Sequence, residues 1–223
     1  MTRREPVSLD LRVYLVTGEA TSATAVETII SAAASGGVTA VQLRDKDGST
    51  TARTSAARQL ASVLEPLAVP LLLNDDVEAA RMAGVAGVHV GPDDLHPTQA
   101  RAILGPDAVI GWSVHHIRQL SDTEAVDACD YLAAGPVWPT LTKRDTAPPL
   151  GLDGVRALRA AMPRRLPLIG IGGITAENAG DLIRAGADGI AVVSAIWSAP
   201  NPAHATQRLR EIVDTALAER NRR

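Results

Sequence analysis

Eight short apolar runs, each followed by a stretch with helical spacing of its apolar residues, organise this chain of 223 residues. The runs fall at 12–17, 40–44, 71–74, 87–91, 109–114, 131–135, 168–172 and 189–194. They are rich in Val, Ile, Leu and Ala and nearly continuous in apolar character, whereas a half-exposed strand alternates. Such strands are covered on both faces. The helical patterns span 25–34, 51–64, 77–82, 97–104, 121–128, 152–161, 176–185 and 203–218. Pro97 after His96, and Thr175 before Glu177 and Asn178, are helix-start signals. Eight βα units in this length predict a single (β/α)8 TIM barrel, one α/β domain over 1–223 with its core at about 12–217. A doubly wound open sheet is the alternative.

A weak internal echo supports the count. Residues 35–41, 83–88 and 185–190 are versions of one helix-to-strand turn, each with Gly where a helix end needs a left-handed residue. No domain boundary is visible, and the Pro-rich stretch 136–149 is a loop after the sixth strand. Aromatic residues make up only 2% of the chain and Phe is absent, so aliphatic side chains must build the core.

Several function classes drop out. Net charge is −3 and the basic residues are scattered, which gives no nucleic-acid stripe. No apolar run approaches the roughly 18 residues of a membrane span, and the N-terminus lacks a signal-type apolar core. A single cysteine, Cys129, rules out an intrachain disulfide and fits a reducing cytoplasm.

Of the 22 basic residues only Lys46 and Lys143 are lysine. Wherever a generic positive charge serves, this chain uses Arg. A compact ammonium and a planar guanidinium are not interchangeable, so the two retained lysines point to sites needing a point charge. Both lie in polar segments after strands, where a barrel keeps its active site. The other polar residues gather at the same ends: Gln42, Leu43, Arg44 and Asp45 before Lys46; Asn74, Asp75 and Asp76; His89 through Gly91 into Pro92, Asp93 and Asp94; Ser113; Thr140, Leu141 and Thr142 before Lys143; Gly172 and Gly173; and Val193 and Ser194.

Glycines after strand seven, with a Val-Ser pair on strand eight, suit a phosphate cradle, because backbone N–H groups can approach an oxyanion there. Acidic pairs on adjacent strand ends suit Mg²⁺, which takes one or two carboxylates plus waters and ligand phosphates. Spacing alone does not choose between Asp75 and Asp76, nor between Asp93 and Asp94. Zn²⁺ is disfavoured, since the histidines lack ligand spacing. His96, His115 and His116 read as loop residues or helix starts, His89 as a core histidine, and the tryptophans as packing, with Trp138 kept as a ligand-stacking candidate. Two phosphate-type subsites in one mouth, one of them rich in cations and carboxylates, suit a diphosphate leaving group.

The segments QLRDK (42–46), NDD (74–76), GPDD (91–94), GPVWPTLTK (135–143), GIGGIT (170–175) and AVVSAI (191–196) together resemble the thiamine-phosphate synthase family. The resemblance implies a transferase of thiamine biosynthesis. It joins hydroxymethylpyrimidine diphosphate to a (carboxy)thiazole phosphate, giving thiamine phosphate, diphosphate and CO₂ through a dissociative carbocation path. By motif, the stretch from Gln42 to Lys46, with Asn74, Ser113 and Lys143, binds the pyrimidine diphosphate. Arg44, Lys46, Ser113 and Lys143 carry the catalysis. Asp75 and Asp94 hold Mg²⁺, and Thr140, Leu141, Thr142, Gly173, Val193 and Ser194 hold the thiazole phosphate. The partners implied are these small molecules, with no nucleic acid, no membrane and a homo-oligomer left open. Gly18 departs from the pattern, which has an acidic residue near that position, and so does the Pro92-Asp93 pair.

Three rivals remain in view: a thiazole tautomerase-like relative, a non-catalytic phosphate-ligand regulator, and another phosphate-binding barrel isomerase. The first two have no need of Arg44, Lys46, Asp75, Asp94 and Lys143 together. The third needs an acid/base pair inside the barrel, and no strand offers an obvious one.

Overall fold

The computed structural model describes residues 9–19, 22–140 and 147–222. Eight parallel strands close on themselves in chain order. They are β1 (Val13–Val16), β2 (Ala40–Leu43), β3 (Leu71–Asn74), β4 (Gly87–Val90), β5 (Val109–Val114), β6 (Tyr131–Ala134), β7 (Leu168–Ile171) and β8 (Gly189–Val192). Closure is made where Val13 pairs with Ile190. The open-sheet alternative is excluded by that ring.

Helices α1 (Ala23–Ser35), α2 (Thr50–Leu64), α3 (Val77–Ala83), α4 (Pro97–Leu104), α5 (Thr123–Ala128), α6 (Gly151–Ala161) and α7 (Ala179–Arg184) wrap the barrel. Beyond β8 come a single turn, α8 (Ser194–Trp197), and the long α9 (Pro202–Arg220). Short polar side chains start most of them. Ser22, Ser49, Asp76, Asp122 and Asn201 each accept a backbone N–H from the first turn. The echoed turns behave as their glycines imply, with φ of +95° at Gly37, +70° at Gly84 and +116° at Gly186.

Two layers of core follow from the strand period of two. Val13, Leu15, Val41, Leu43, Leu71, Leu73, Val88, Val90 and Leu132 join the layer beneath the helices. Tyr14, Val16, Ala40, Leu72, Tyr131, Ala133, Ile169 and Ala191 form a separate cluster in the lumen. Any residue in step with the second set faces the barrel axis. Gln42, Asn74, His89 and Ser113 are in step with it.

Two helices start later than the sequence expectation. A 3₁₀ turn occupies Ile117–Ser121, and α5 begins only after Asp122 caps it. Before α7 the side chain of Asn178 accepts from the Thr175 amide at 2.8 Å and donates to the Gly173 carbonyl at 2.9 Å. That local bonding competes with helix and delays its start to Ala179.

Candidate active site

The strand ends surround one cavity. It brings together Gln42, Arg44, Lys46, Asn74, Asp75, Asp94, Ser113, Thr140, Gly173, Val193 and Ser194. The side chains of Leu43 and Asp45 are not among its walls. Leu43 has outward parity and lies in the layer beneath the helices. Asp45 folds back on its own loop, where Oδ1 accepts the amides of Asp47 at 3.2 Å and Gly48 at 2.9 Å. Leu141, Thr142 and Lys143 lie outside the described residues.

The floor is a polar chain that the sequence did not disclose. Gln42 Nε2 donates to the Tyr14 hydroxyl at 2.9 Å, and the Tyr131 hydroxyl reaches the same oxygen at 3.2 Å. Tyr131 shares a hydrogen bond with His89 Nδ1 at 2.9 Å, and His89 Nε2 shares one with Ser113 Oγ at 2.8 Å. His89 and Tyr131 stack with ring centroids 5.5 Å apart. Gly111 makes room for them, since a Cβ there would lie 2.3 Å from the Tyr131 hydroxyl and 2.5 Å from His89 Nδ1. Burial pushes both phenols well above their ordinary range, so they stay protonated. Tyr14, His89 and Tyr131 thus join the site. Each is two residues from another lumen-facing position, a parity that only the strand register reveals. His89 is both a buried histidine and a wall of the cavity.

One side of the mouth is charged. The loop after β2 carries Arg44 and Lys46, and the Arg44 amide donates to Thr17 Oγ1 at 2.8 Å. Across from it Asp75 sits in the left-handed region with φ +63°. Its amide donates to the His89 carbonyl at 2.8 Å, and Asn74 Nδ2 donates to its carboxylate. Asp94 is tethered by the Gly91 amide, which donates to Oδ2 at 2.8 Å. Burial, then the hydrogen bond and charge of Asp94, push the Asp75 carboxyl up to about 7, against the opposing pull of Asn74 and Lys46. Asp76, by contrast, turns away to cap α3. Burial works against its charge, yet the Ala79 amide, Arg53 and Thr50 hold it below the usual carboxylate range.

The other side is a backbone turn. Gly172 and Gly173 have φ of +95° and +66°. A Cβ on Gly173 would lie 2.7 Å from both the Pro139 carbonyl oxygen and the Trp138 Cβ. Trp138 therefore backs this turn from behind and is not on the cavity wall, and its amide donates to the Gly172 carbonyl at 3.1 Å. β8 ends at Val192, one residue earlier than the Val-Ser pair, and Ser194 opens α8. Gly18 also has a local reason. A Cβ there would lie 2.6 Å from the Trp197 ring, whose Nε1 donates to the Glu19 carbonyl at 2.8 Å.

A closed (β/α)8 barrel whose mouth sets cations and facing carboxylates against a glycine turn defines a phosphate-handling barrel enzyme. The profile of the thiamine monophosphate synthase family matches residues 13–196. A thiamine-phosphate synthase from Azorhizobium caulinodans is 44% identical over 213 residues, covering 95% of this chain and 99% of that protein. One from Albidiferax ferrireducens is 42% identical over 205 residues, covering 92% of each. The solved thiamine phosphate pyrophosphorylase from Pyrococcus furiosus superposes with a TM-score of 0.81 at 30% identity, covering 93% of this chain and 98% of that one. The chain belongs to the thiamine monophosphate synthase family and is a transferase of thiamine biosynthesis. Among the described residues no helix is long and apolar enough to cross a membrane.

Proposed function

We propose that this barrel couples hydroxymethylpyrimidine diphosphate to a (carboxy)thiazole phosphate with Mg²⁺ in the cytoplasm, releasing diphosphate. The observation that carries the reading is the facing pair Asp75 and Asp94 beside Lys46, with the glycine turn across the cavity. Two carboxylates that meet while one is held near neutral pKa are a site short of positive charge. Their hard oxygen donors fit Mg²⁺, an ion that takes one or two carboxylates together with water and phosphate ligands. Mg²⁺ held by Asp75 and Asp94 would supply charge neutralisation on the departing diphosphate.

The chain's own residues supply the rest. Arg44 and Lys46 bind the diphosphate oxygens, and the family resemblance assigns Lys143 to the same group. Gln42, its Nε2 held by Tyr14, offers its carbonyl oxygen to the pyrimidine amino group. Ser113 is oriented by His89. The apolar walls Val16, Ala133, Ile169 and Ala191 exclude water from the ionised pyrimidine methylene. The C–O bond to diphosphate breaks with its electron pair leaving on oxygen. The thiazole nitrogen, held through its phosphate by Gly173, Val193, Ser194 and the Thr140–Thr142 segment, then forms the new C–N bond. On the carboxylated substrate, CO₂ leaves afterwards.

The test is direct. Purified protein, both substrates and Mg²⁺ are mixed, and thiamine phosphate is read by oxidation to its fluorescent thiochrome. Mg²⁺-dependent product supports the reading. No product with the thiazole phosphate still bound would replace it with the tautomerase-like or regulatory role. Asp94→Ala should raise the Mg²⁺ needed for half-maximal rate, and an unchanged titration would remove Asp94 from the metal site.

A further inference from the structure

Arg53 lies on α2, outside the cavity wall, yet it binds both loops that carry the charged side of the mouth. Its Nε donates to the Asp45 carbonyl at 2.8 Å and one terminal nitrogen to the Lys46 carbonyl at 3.1 Å. The other terminal nitrogen donates to Asp76 Oδ2 at 3.0 Å. The pair is largely buried, with 21% of the Arg53 side chain and 11% of the Asp76 side chain exposed. The other oxygen of Asp76 caps α3 through the Ala79 amide at 2.9 Å. One planar fork therefore ties the loop bearing Arg44 and Lys46 to the segment bearing Asp75.

The tie acts at a strained point. Asp75 holds φ at +63°, and a non-glycine residue stays there only when its surroundings over-determine it. The next residue is the one Arg53 grips. An ammonium cannot satisfy three acceptors spread across a plane, so a lysine here is no substitute.

We propose that Arg53 is a positioning residue for the synthase reaction. It sets the separation between the cationic loop and the metal-binding carboxylates, and so governs turnover and Mg²⁺ response rather than thiazole phosphate binding. This rests on the diphosphate and Mg²⁺ reading of the site.

Arg53→Lys and Asp76→Asn separate this role from simple structural support. Asn still caps a helix, so the second variant keeps α3 while losing the ion pair. Steady-state rates are measured well below each variant's melting temperature. The expected result is a fall in kcat of about 10- to 100-fold, the scale set by misplacement of about 1 Å. Half-saturating Mg²⁺ should rise about tenfold with kcat, while KM for the thiazole phosphate stays within about twofold, since its cradle is on the opposite wall. The double variant should fall no further than the worse single one. A lowered melting temperature with unchanged kcat and Mg²⁺ response in the folding variants would overturn the proposal. Failure of the wild-type protein to turn over with Mg²⁺ would instead sink the synthase reading beneath it.

Discussion

Two carboxylates at the strand starts and the two in the cavity are treated in opposite ways, while Asp76 beside the cavity is held by Arg53 like those below. At the N-terminal ends of the strands two acids, Asp130 and Asp188, are completed from within. Asp130 Oδ2 accepts from Arg101 at 2.6 Å and from the Ile110 amide at 2.8 Å. Asp188 takes Arg159 and the Leu168 amide on one oxygen and Arg220 on the other. Thr39 does the same for Val13 without charge, accepting its amide at 3.1 Å. The residue before an even strand thus closes the start of the odd strand preceding it, on β1, β5 and β7. At the C-terminal ends Asp75 and Asp94 face each other, and among the described residues neither pairs with an arginine or lysine at ion-pair distance. A protein that satisfies acids so fully at one end has the means to do so at the other. The difference supports the proposal that the two cavity carboxylates are completed by a bound cation.

Removing an acid at the lower end tests that contrast most severely. Asp130 has only 1% of its side chain exposed, and Asp130→Ala takes the carboxylate from the Arg101 charge and leaves the Ile110 amide without its side-chain acceptor. Stability should fall by about 3–5 kcal/mol, as for other broken buried pairs. Urea denaturation reads the loss, while kcat of the folded fraction stays near wild type. A kcat loss matching the stability loss would erase the division between scaffold and site.

At the upper end the effect should be chemical and smaller in energy. Lys46→Arg keeps the charge but replaces a point with a fork, and turnover should drop at least about tenfold, roughly 1.4 kcal/mol of barrel-mouth function. Lys143→Arg should behave alike. Melting temperature should hold in both. Wild-type rates in either would show that this chain's preference for Arg is compositional drift and that its two lysines are ordinary.

The same division governs what could be read from sequence. The barrel was legible because eight doubly covered strands must be apolar throughout, and because Gly37, Gly84 and Gly186 repeat one left-handed turn. Gln42, Asn74 and Ser113 were legible as polar residues at the ends of such strands. Tyr14, His89 and Tyr131 were not. In a strand apolar on both faces, nothing local says which parity faces the axis until neighbouring strands fix the register. The same blindness swept in Leu43 with the rest of residues 42–46, although alternation turns it outward. Asp75 and Asp76 are adjacent and chemically alike, and only the backbone, left-handed at one and capping α3 at the other, separates them. The start of α7 was hidden because Asn178 spends its side chain on the Gly172–Gly173 turn.

The smallest effect sharpens the comparison furthest. Asp75 is an acid whose pKa is raised to about 7 from an ordinary 3.8 in the ligand-free protein. Its protonated form is therefore the one the fold favours. That stabilisation is fully present below about pH 4, falls as pH rises from there to about 7, and is gone above. Asp75→Asn removes the titration while keeping the shape. Ligand-free Asp75→Asn should therefore melt higher than wild type at pH 8, and the gap should close on acidification toward pH 4. Because Asp75 still reaches solvent, only part of the shift survives as stability, and a rise of about 1–3 °C is expected. Asp188→Asn at the opposite end should do the reverse and lower the melting point at pH 8, since there the charge is what the arginines hold. Differential scanning fluorimetry of the two variants across that pH range reads both signs. If both variants shifted the same way, the acids at the mouth would be scaffold like those below, and the case for a cation completing them would lose its physical basis.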